Sequence, residues 1–137
     1  MARSQDEVTA ALALRERIFC GEQGVSFEAD QDGRDPEATH IVAVEDGAVI
    51  GTCRLLFRGD VARLGRLAVE RDRRGNGIAG AILEEADRLS AEAGARAIAL
   101  HAQTYALALY TQAGYEQHGP TFVEEGIEHV AMEKRLA

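Results

Sequence analysis

Apolar positions along this chain change period several times, and each change marks an element. Val8, Ala11, Leu12, Arg15, Ile18 and Phe19 recur at helical spacing. Ser4 and Glu7 stand ahead of them as a capping box, which predicts a helix from about Gln5 to Cys20. From Gly21 to Ala38 the pattern turns polar and acidic, with Val25 and Phe27 as apolar anchors, and is read as an ordered loop or short helical turn. Two β-rich runs follow, His40 to Val44 and Ala48 to Phe57, joined by the hairpin residues Glu45, Asp46 and Gly47. Arg58, Gly59 and Asp60 turn the chain into a third strand, "VARLGRLAV", that ends at Val69. Ile78, Ile82, Ala86, Leu89 and Ala93 then share one face of a helix over Gly75 to Ala93, with Gly94 as its stop. "RAIALHA" reads as a strand, and Thr104 as the cap of a helix that carries Ala106, Leu109, Tyr110 and Ala113 and stops at Gly114. Strands near Tyr115 to His118 and Glu128 to Arg135 finish the chain. The order α, β, β, β, α, β, α, β, β predicts a single α/β (α+β) domain over residues 1–137, with a mixed central sheet of about six strands flanked by helices.

Composition narrows the partners. Fifteen basic residues against 23 acidic ones give a net charge of -8, which argues against a nucleic-acid footprint or an anionic membrane surface. Any anionic ligand must therefore be held locally. Cys20 and Cys53 lie in apolar contexts without metal spacing, and no long apolar run is present, so the expectation is a reduced, cytoplasmic setting. The acidic run Glu28, Asp30, Asp32, Asp35 and Glu37 lacks the calcium-loop pattern, and no metal is expected.

"RRGNGIAG" places Gly75, Gly77 and Gly80 in the spacing of a dinucleotide fingerprint. Its context fails that reading. The glycines follow three antiparallel strands rather than opening a parallel sheet, and the position about 20 residues on is Leu100, where the ribose would need a carboxylate. No GK[ST] follows for a Walker loop. What survives is local: bare backbone N–H groups at a helix N-terminus can cradle a pyrophosphate, and Arg71, Arg73 and Arg74 add positive charge beside them.

The meander ending in "LGRLAV", the loop "ERDRRGNGIA", a long helix, a strand, a helix and "LYTQAGY" together resemble the GNAT superfamily of N-acetyltransferases. The family signature [RQ]xxGx[GA] falls on Arg74, Gly77 and Ala79. The resemblance implies that Arg74, Gly75, Asn76, Gly77, Ile78 and Ala79 hold the pyrophosphate of acetyl-CoA, while Gly80 serves incidental helix packing. It further implies that two parallel strands splay at a bulge to form the acetyl-CoA cleft, with the pantetheine arm pairing along Leu67, Ala68 and Val69. The second signature reads "QTYALALYTQAGY", with Gln103 in place of the usual Asn as the amide toward the pantetheine and Tyr110 where members place the phenol that protonates the leaving thiolate. "LRERIFCGEQ" and "FVEEGIEH" are similar to recurring segments of the ElaA-like branch, so the resemblance runs from about Leu14 to Met132. One departure stands out: the family opens with a β-strand, whereas this chain enters its first helix by Gln5, leaving a sheet edge open to another chain in a homodimer.

The implied chemistry is transfer of an acetyl group to a primary amine of a small molecule or peptide, by direct attack in a ternary complex. An amine of lysine-like pKa is roughly 99.9% protonated at pH 7, so deprotonation costs about 4 to 5 kcal/mol and a base is expected. Backbone N–H groups near Leu67 to Val69 are the candidate oxyanion contact. Tyr110 is the candidate acid, against the alternative of a core aromatic with a bonded hydroxyl. Glu22 is the first candidate base and His129 the next, with Gln23 and Glu125 beside the acceptor. Arg54 and Arg66 suit an anionic group on the acceptor if they face inward, and His40 and His101 are compatible with the cleft or with strand-end hydrogen bonding. A CoA-binding sensor or interaction module without turnover is the competing reading.

Overall fold

A computed structural model of the chain describes residues 5–23 and 33–136. Helix α1 (Gln5–Arg15) buries Ala11, Leu14 and Arg15, and the chain then widens into a π-helical stretch over Glu16–Glu22. The N–H of Gln23 closes that stretch on the carbonyl of Ile18 at 3.1 Å, an i→i+5 bond. The single regular helix expected to Cys20 is therefore two geometries, a distinction that apolar spacing over two turns does not resolve. Ser4, Val25 and Phe27 lie outside the described residues, as do Glu28, Asp30 and Asp32.

A 3-10 turn at Asp35–Glu37 leads into β1 (Thr39–Glu45), which pairs with β2 (Ala48–Arg58) through the turn at Asp46 and Gly47. Both turn residues have positive φ, 52° and 81°, as a two-residue hairpin loop requires. β3 (Val61–Val69) completes the meander. After a 3-10 turn at Arg71–Arg73 comes α2 (Ile78–Glu92), then β4 (Ala97–Gln103), a 3-10 turn at Thr104–Ala106 and α3 (Leu107–Gln112). β5 (Glu116–Glu124) and β6 (Ile127–Arg135) close the chain as an antiparallel hairpin.

Two sequence expectations change here. Thr104 caps no helix: its hydroxyl donates to Glu128 at 3.1 Å, and the residue before α3 is Ala106. β5 runs well past His118, because it is an outer strand whose pairing breaks register between His118 and Phe122. Pro120 needs no ladder partner there, so the Gly-Pro pair that suggests a strand end sits inside an irregular edge strand.

The six strands lie in the order β1-β2-β3-β4-β6-β5. β1 is an outer strand of the sheet. The main core lies between the sheet and α2, with Leu55, Ile82, Leu83, Ile98, Val130 and Met132 all nearly inaccessible. Burial of each such side chain is worth about 1.5 to 3 kcal/mol. A smaller cluster of Leu14, Ile18 and Ala68 fixes α1 on the opposite face. No described helix is long and apolar enough to cross a membrane.

One irregularity positions everything that follows. β3 and β4 are parallel neighbours, yet they pair only from Val61 to Arg63 against Ala97 to Ala99. On its other side β3 holds Gly65 opposite Arg54 and Ala68 opposite Thr52, so Arg66 and Leu67 share Cys53 as their only opposite residue. That is a β-bulge, with Arg66 at φ 55°. The extra residue bends β3 away from β4, and the sheet opens into a wedge.

Candidate active site

Within the wedge, the β3 residues from Leu64 to Val69 line a cleft of about 610 Å³. Their backbone on the β4 side has no strand to pair with, since the ladder stops at Arg63. Such a row of N–H and C=O groups suits an amide-bearing chain laid between the strands. Leu100, His101 and Gln103 of β4 form the facing wall, and Tyr105, Leu109 and Tyr110 the floor on the α3 side.

At one end of the cleft the chain leaves β3 through a loop pinned by its own arginine. The Nε of Arg74 donates to the carbonyl of Val69 at 3.0 Å, and Asn76 Nδ2 donates to the carbonyl of Arg73 at 3.2 Å. Arg73 itself is held by Glu45 at 2.9 Å. Gly75 and Gly77 have φ of 83° and 79°, and a Cβ on either would meet nothing within 4 Å. Backbone conformation, not crowding, therefore demands glycine there. Gly77 caps α2 without a side chain, no acidic residue stands in the first turn, and the Ala81 N–H is bonded to the Gly77 carbonyl at 3.1 Å. The N–H groups of Ile78, Ala79 and Gly80 precede the first intrahelical bond and are free to face an anion. Gly80 also borders open space, which corrects its expected role in helix packing. Below this end Gly51 lies so close to Ile82 and Ile78, 2.9 and 3.1 Å from where a Cβ would be, that it seats the N-terminal turns of α2 on the sheet.

The other end of the cleft carries titratable groups. The β5–β6 turn uses Glu125 and Gly126, at φ 52° and 73°, and delivers Glu124, Glu125, Ile127 and His129 to the cleft. His129 is buried, and its Nδ1 donates to the carbonyl of Ile127 at 2.7 Å. A carbonyl can only accept, so the neutral ring keeps its proton on Nδ1 and its lone pair on Nε2. Nε2 stands 3.8 Å from Glu124 Oε2, while Glu124 Oε1 meets His101 Nδ1 at 3.4 Å. Phe122 stacks on His129 with centroids 6.0 Å apart and meets His101 edge-on at 5.0 Å.

Between the two ends, Gln103 Nε2 donates to Gln23 Oε1 at 2.8 Å and Gln23 Nε2 donates to the Tyr105 hydroxyl at 2.9 Å. These two bonds tie the end of the first helical segment to the end of β4. Tyr110 is 8% exposed and sits edge-to-face with Tyr115 at 6.0 Å. Burial pushes its phenol above the usual tyrosine range, with repulsion from Cys53 and Tyr105 adding to the effect, so it stays protonated.

Residues 9–136 match the family model described as the acetyltransferase (GNAT) domain. The chain is 30% identical over 135 residues to the uncharacterized N-acetyltransferase YjcF of Bacillus subtilis, covering 98% of this chain and 96% of the relative. This chain belongs to the GNAT acetyltransferase family. It is similar to the crystal structure of a Pseudomonas aeruginosa acyl-CoA N-acyltransferase, with TM-score 0.86, 25% identity, and coverage of 96% of this chain and 92% of that one. Escherichia coli ElaA shares the fold at TM-score 0.87 and 22% identity, over 97% of this chain and 93% of ElaA. GNAT membership makes the protein an acyltransferase, and the GNAT fold uses acetyl-CoA.

Leu67, Ala68, Val69, Arg74, Ala79, Gln103, Tyr110, Gln23, Arg66, Glu125, His101 and His129 all line the cleft, and Gly75, Asn76, Gly77 and Ile78 form the loop and first turn at its rim. Arg54 also borders the cleft, but its guanidinium donates to Asp35 at 3.2 Å beside the buried Arg15, which donates to the same oxygen at 2.6 Å. A structural ion cluster thus occupies the residue expected to reach an anionic acceptor. His40 lies outside the cleft lining, with Nε2 donating to the Asp35 carbonyl at 3.0 Å. The side chain of Glu22 lies outside the described residues. Glu124 and the Gln23–Gln103 pair are absent from the sequence reading. Glu124 neighbours Glu125 in sequence, but only the hairpin register places it between two histidines; the glutamines are 80 positions apart.

Proposed function

We propose that this GNAT protein transfers the acetyl group of acetyl-CoA to a primary amine of a small molecule or peptide, by direct attack in a ternary complex. The observation that carries this reading is the one-ended splay of β3 from β4, whose ladder stops at Arg63 and leaves a cleft between an uncapped helix N-terminus and a buried histidine. The bound thioester supplies an electrophilic carbonyl and a sulfur leaving group. Arg74 and the backbone from Gly75 to Ala79 hold the pyrophosphate, and Leu67, Ala68 and Val69 pair with the pantetheine arm and offer N–H groups to the developing oxyanion. Gln103 commits its Nε2 to Gln23 and keeps its carbonyl oxygen for the same arm.

His129 takes the base role ahead of Glu22, because hydrogen bonding to Ile127 fixes its proton on Nδ1 and leaves Nε2 to accept from the amine. As the amine nitrogen bonds the carbonyl carbon and loses a proton to Nε2, the carbon–sulfur bond breaks and the sulfur is protonated. Tyr110 donates to that sulfur. A phenol above its usual value of about 10 hands a proton to a thiolate of ordinary thiol pKa near 8.5 only at a cost of at least about 2 kcal/mol. The cleft that raises the phenol also desolvates the thiolate and raises its proton affinity in parallel. Tyr110 is therefore a hydrogen-bonding acid whose proton moves with bond cleavage rather than ahead of it.

A panel of primary amines, incubated with acetyl-CoA and followed by thiol release, tests the reading. Amine-dependent release with one acetyl group gained per thiol is the expected result. CoA binding without turnover on any amine would favour the sensor reading, and a folded protein that binds no CoA would overturn both.

A further inference from the structure

We propose that Glu124 and His129 form a seat that receives the acceptor as its ammonium ion, so that Glu124 sets the specificity for positively charged amines. This rests on the acetyltransferase reading and names the charge state in which its acceptor arrives. In its neutral form the His129 imidazole carries its proton on Nδ1, where the Ile127 carbonyl accepts it at 2.7 Å. Its Nε2 is thus an acceptor. Glu124 Oε2, also an acceptor, faces it at 3.8 Å, too far for a hydrogen bond. Two acceptors at this separation suit one nitrogen that donates to both at about 2.9 Å each.

An ammonium supplies both donors, whereas an alcohol supplies one and no charge. The surroundings hold the two acceptors in place. His129 is only 9% exposed, with Phe122 stacked along its ring, and His101 reaches the second oxygen of Glu124 at 3.4 Å from β4. The turn that carries Glu124 places a non-glycine residue, Glu125, at φ 52°, a conformation that keeps both carboxylates beside the cleft. Glu124 itself is about half exposed, so the seat opens toward incoming solute.

The seat also orders the proton transfer. The ammonium binds against the carboxylate, and one N–H proton passes through Nε2 to solvent beside the half-exposed Glu124, leaving on nitrogen the lone pair that becomes the nucleophile; Nε2 then takes the second proton as the carbon–nitrogen bond forms. The imidazolium so formed then lies beside Glu124, which stabilises it more than it stabilises the neutral ring. Glu124 acts on the charge of the acceptor and His129 on its proton.

The test uses n-butylammonium chloride and butan-1-ol as matched probes, titrated by NMR into the CoA-saturated protein at constant ionic strength. The wild-type protein is expected to bind the ammonium at least tenfold more tightly than the alcohol. Glu124→Gln is expected to erase that preference while CoA affinity and alcohol binding stay unchanged, and Glu124→Asp to restore part of it. A wild-type protein without the preference, or a preference that survives Glu124→Gln, overturns the proposal. His129→Asn keeps the two ideas distinguishable: it should abolish turnover yet retain most of the ammonium preference. Full turnover in His129→Asn would sink the base assignment while leaving Glu124 to be judged by its own titration.

Discussion

At the scale of single residues, two tyrosines 6.0 Å apart make opposite predictions. Tyr110 lines the cleft and its phenol has no hydrogen-bond partner among the described residues, although it is not one of the buried unpartnered oxygens. Its oxygen therefore retains access to the cleft. The hydroxyl of Tyr115 is buried without a partner, and the ring is 3% exposed. Removing a hydroxyl that meets the leaving sulfur in the transition state should cost about a hundredfold in kcat, by analogy with loss of one preorganised donor. Tyr110→Phe is expected to show that loss in steady-state kinetics, with CoA affinity unchanged in a binding titration. Tyr115→Phe removes an unsatisfied buried polar atom, so its melting temperature should hold or rise, by up to about 1 kcal/mol in stability, with kcat unchanged. Equal kinetics for the two variants would remove Tyr110 from the acid role. The sequence motif singles out Tyr110 as the acid but leaves a core aromatic as its alternative; the lining of the cleft is what separates it from the buried Tyr115.

At the scale of elements, α2 and the loop before it were legible because their determinants are local. Positive φ at Gly75 and Gly77, an uncapped first turn and an apolar stripe that ends at Gly94 are all written in neighbouring residues. The glycine pattern nevertheless mixes two kinds of position. Gly77 has φ 79°, whereas Gly80 is an ordinary helical residue with open space around it. Gly77→Ala should strain the αL cap by about 1 kcal/mol and place a methyl group in the space before the helix N-terminus, weakening CoA binding about tenfold. Gly80→Ala should leave CoA binding intact and add up to about 1 kcal/mol of stability through helix propensity. Calorimetric titration with CoA and thermal melts of the two variants check both statements. A loss of CoA affinity in Gly80→Ala would return that glycine to the phosphate site. The acceptor end was less legible, because its geometry depends on register. The bulge at Arg66, the extension of β5 past Pro120 and the placement of Glu124 between His101 and His129 each follow from pairing between distant strands. A bulge that places arginine rather than glycine at φ 55° leaves no local mark in the sequence.

At the scale of the whole molecule, the open cleft needs a fixed wall, and one buried ion cluster provides it. Asp35 accepts from Arg15 at 2.6 Å and from Arg54 at 3.2 Å, joining the end of α1, the turn before β1 and the middle of β2. Arg15 is 1% exposed and Arg54 5%, so neither guanidinium can be rehydrated without unfolding part of the structure. Burial by itself would push the Asp35 carboxyl up, but the hydrogen bond and charge of Arg15, followed by those of Arg54, bring it below its usual 3.8. A carboxylate with a lowered folded-state pKa contributes stability that is fully present above the unfolded value and is lost as pH falls through the folded one. Stability should therefore be level in this respect down to about pH 4 and decline below it. Asp35→Asn takes the charge away at every pH and leaves two buried cations facing an amide, a change that costs about 3 kcal/mol when one partner of a buried pair is removed. Urea melts at pH 7 should show that loss, and a series from pH 5 to pH 3 should show a shallower decline for the variant than for the wild type. If the two proteins lost stability in parallel across the series, the acid sensitivity would have to originate in other carboxylates. Asp35 would then count as a packing residue rather than the charge that fixes the wall of the cleft.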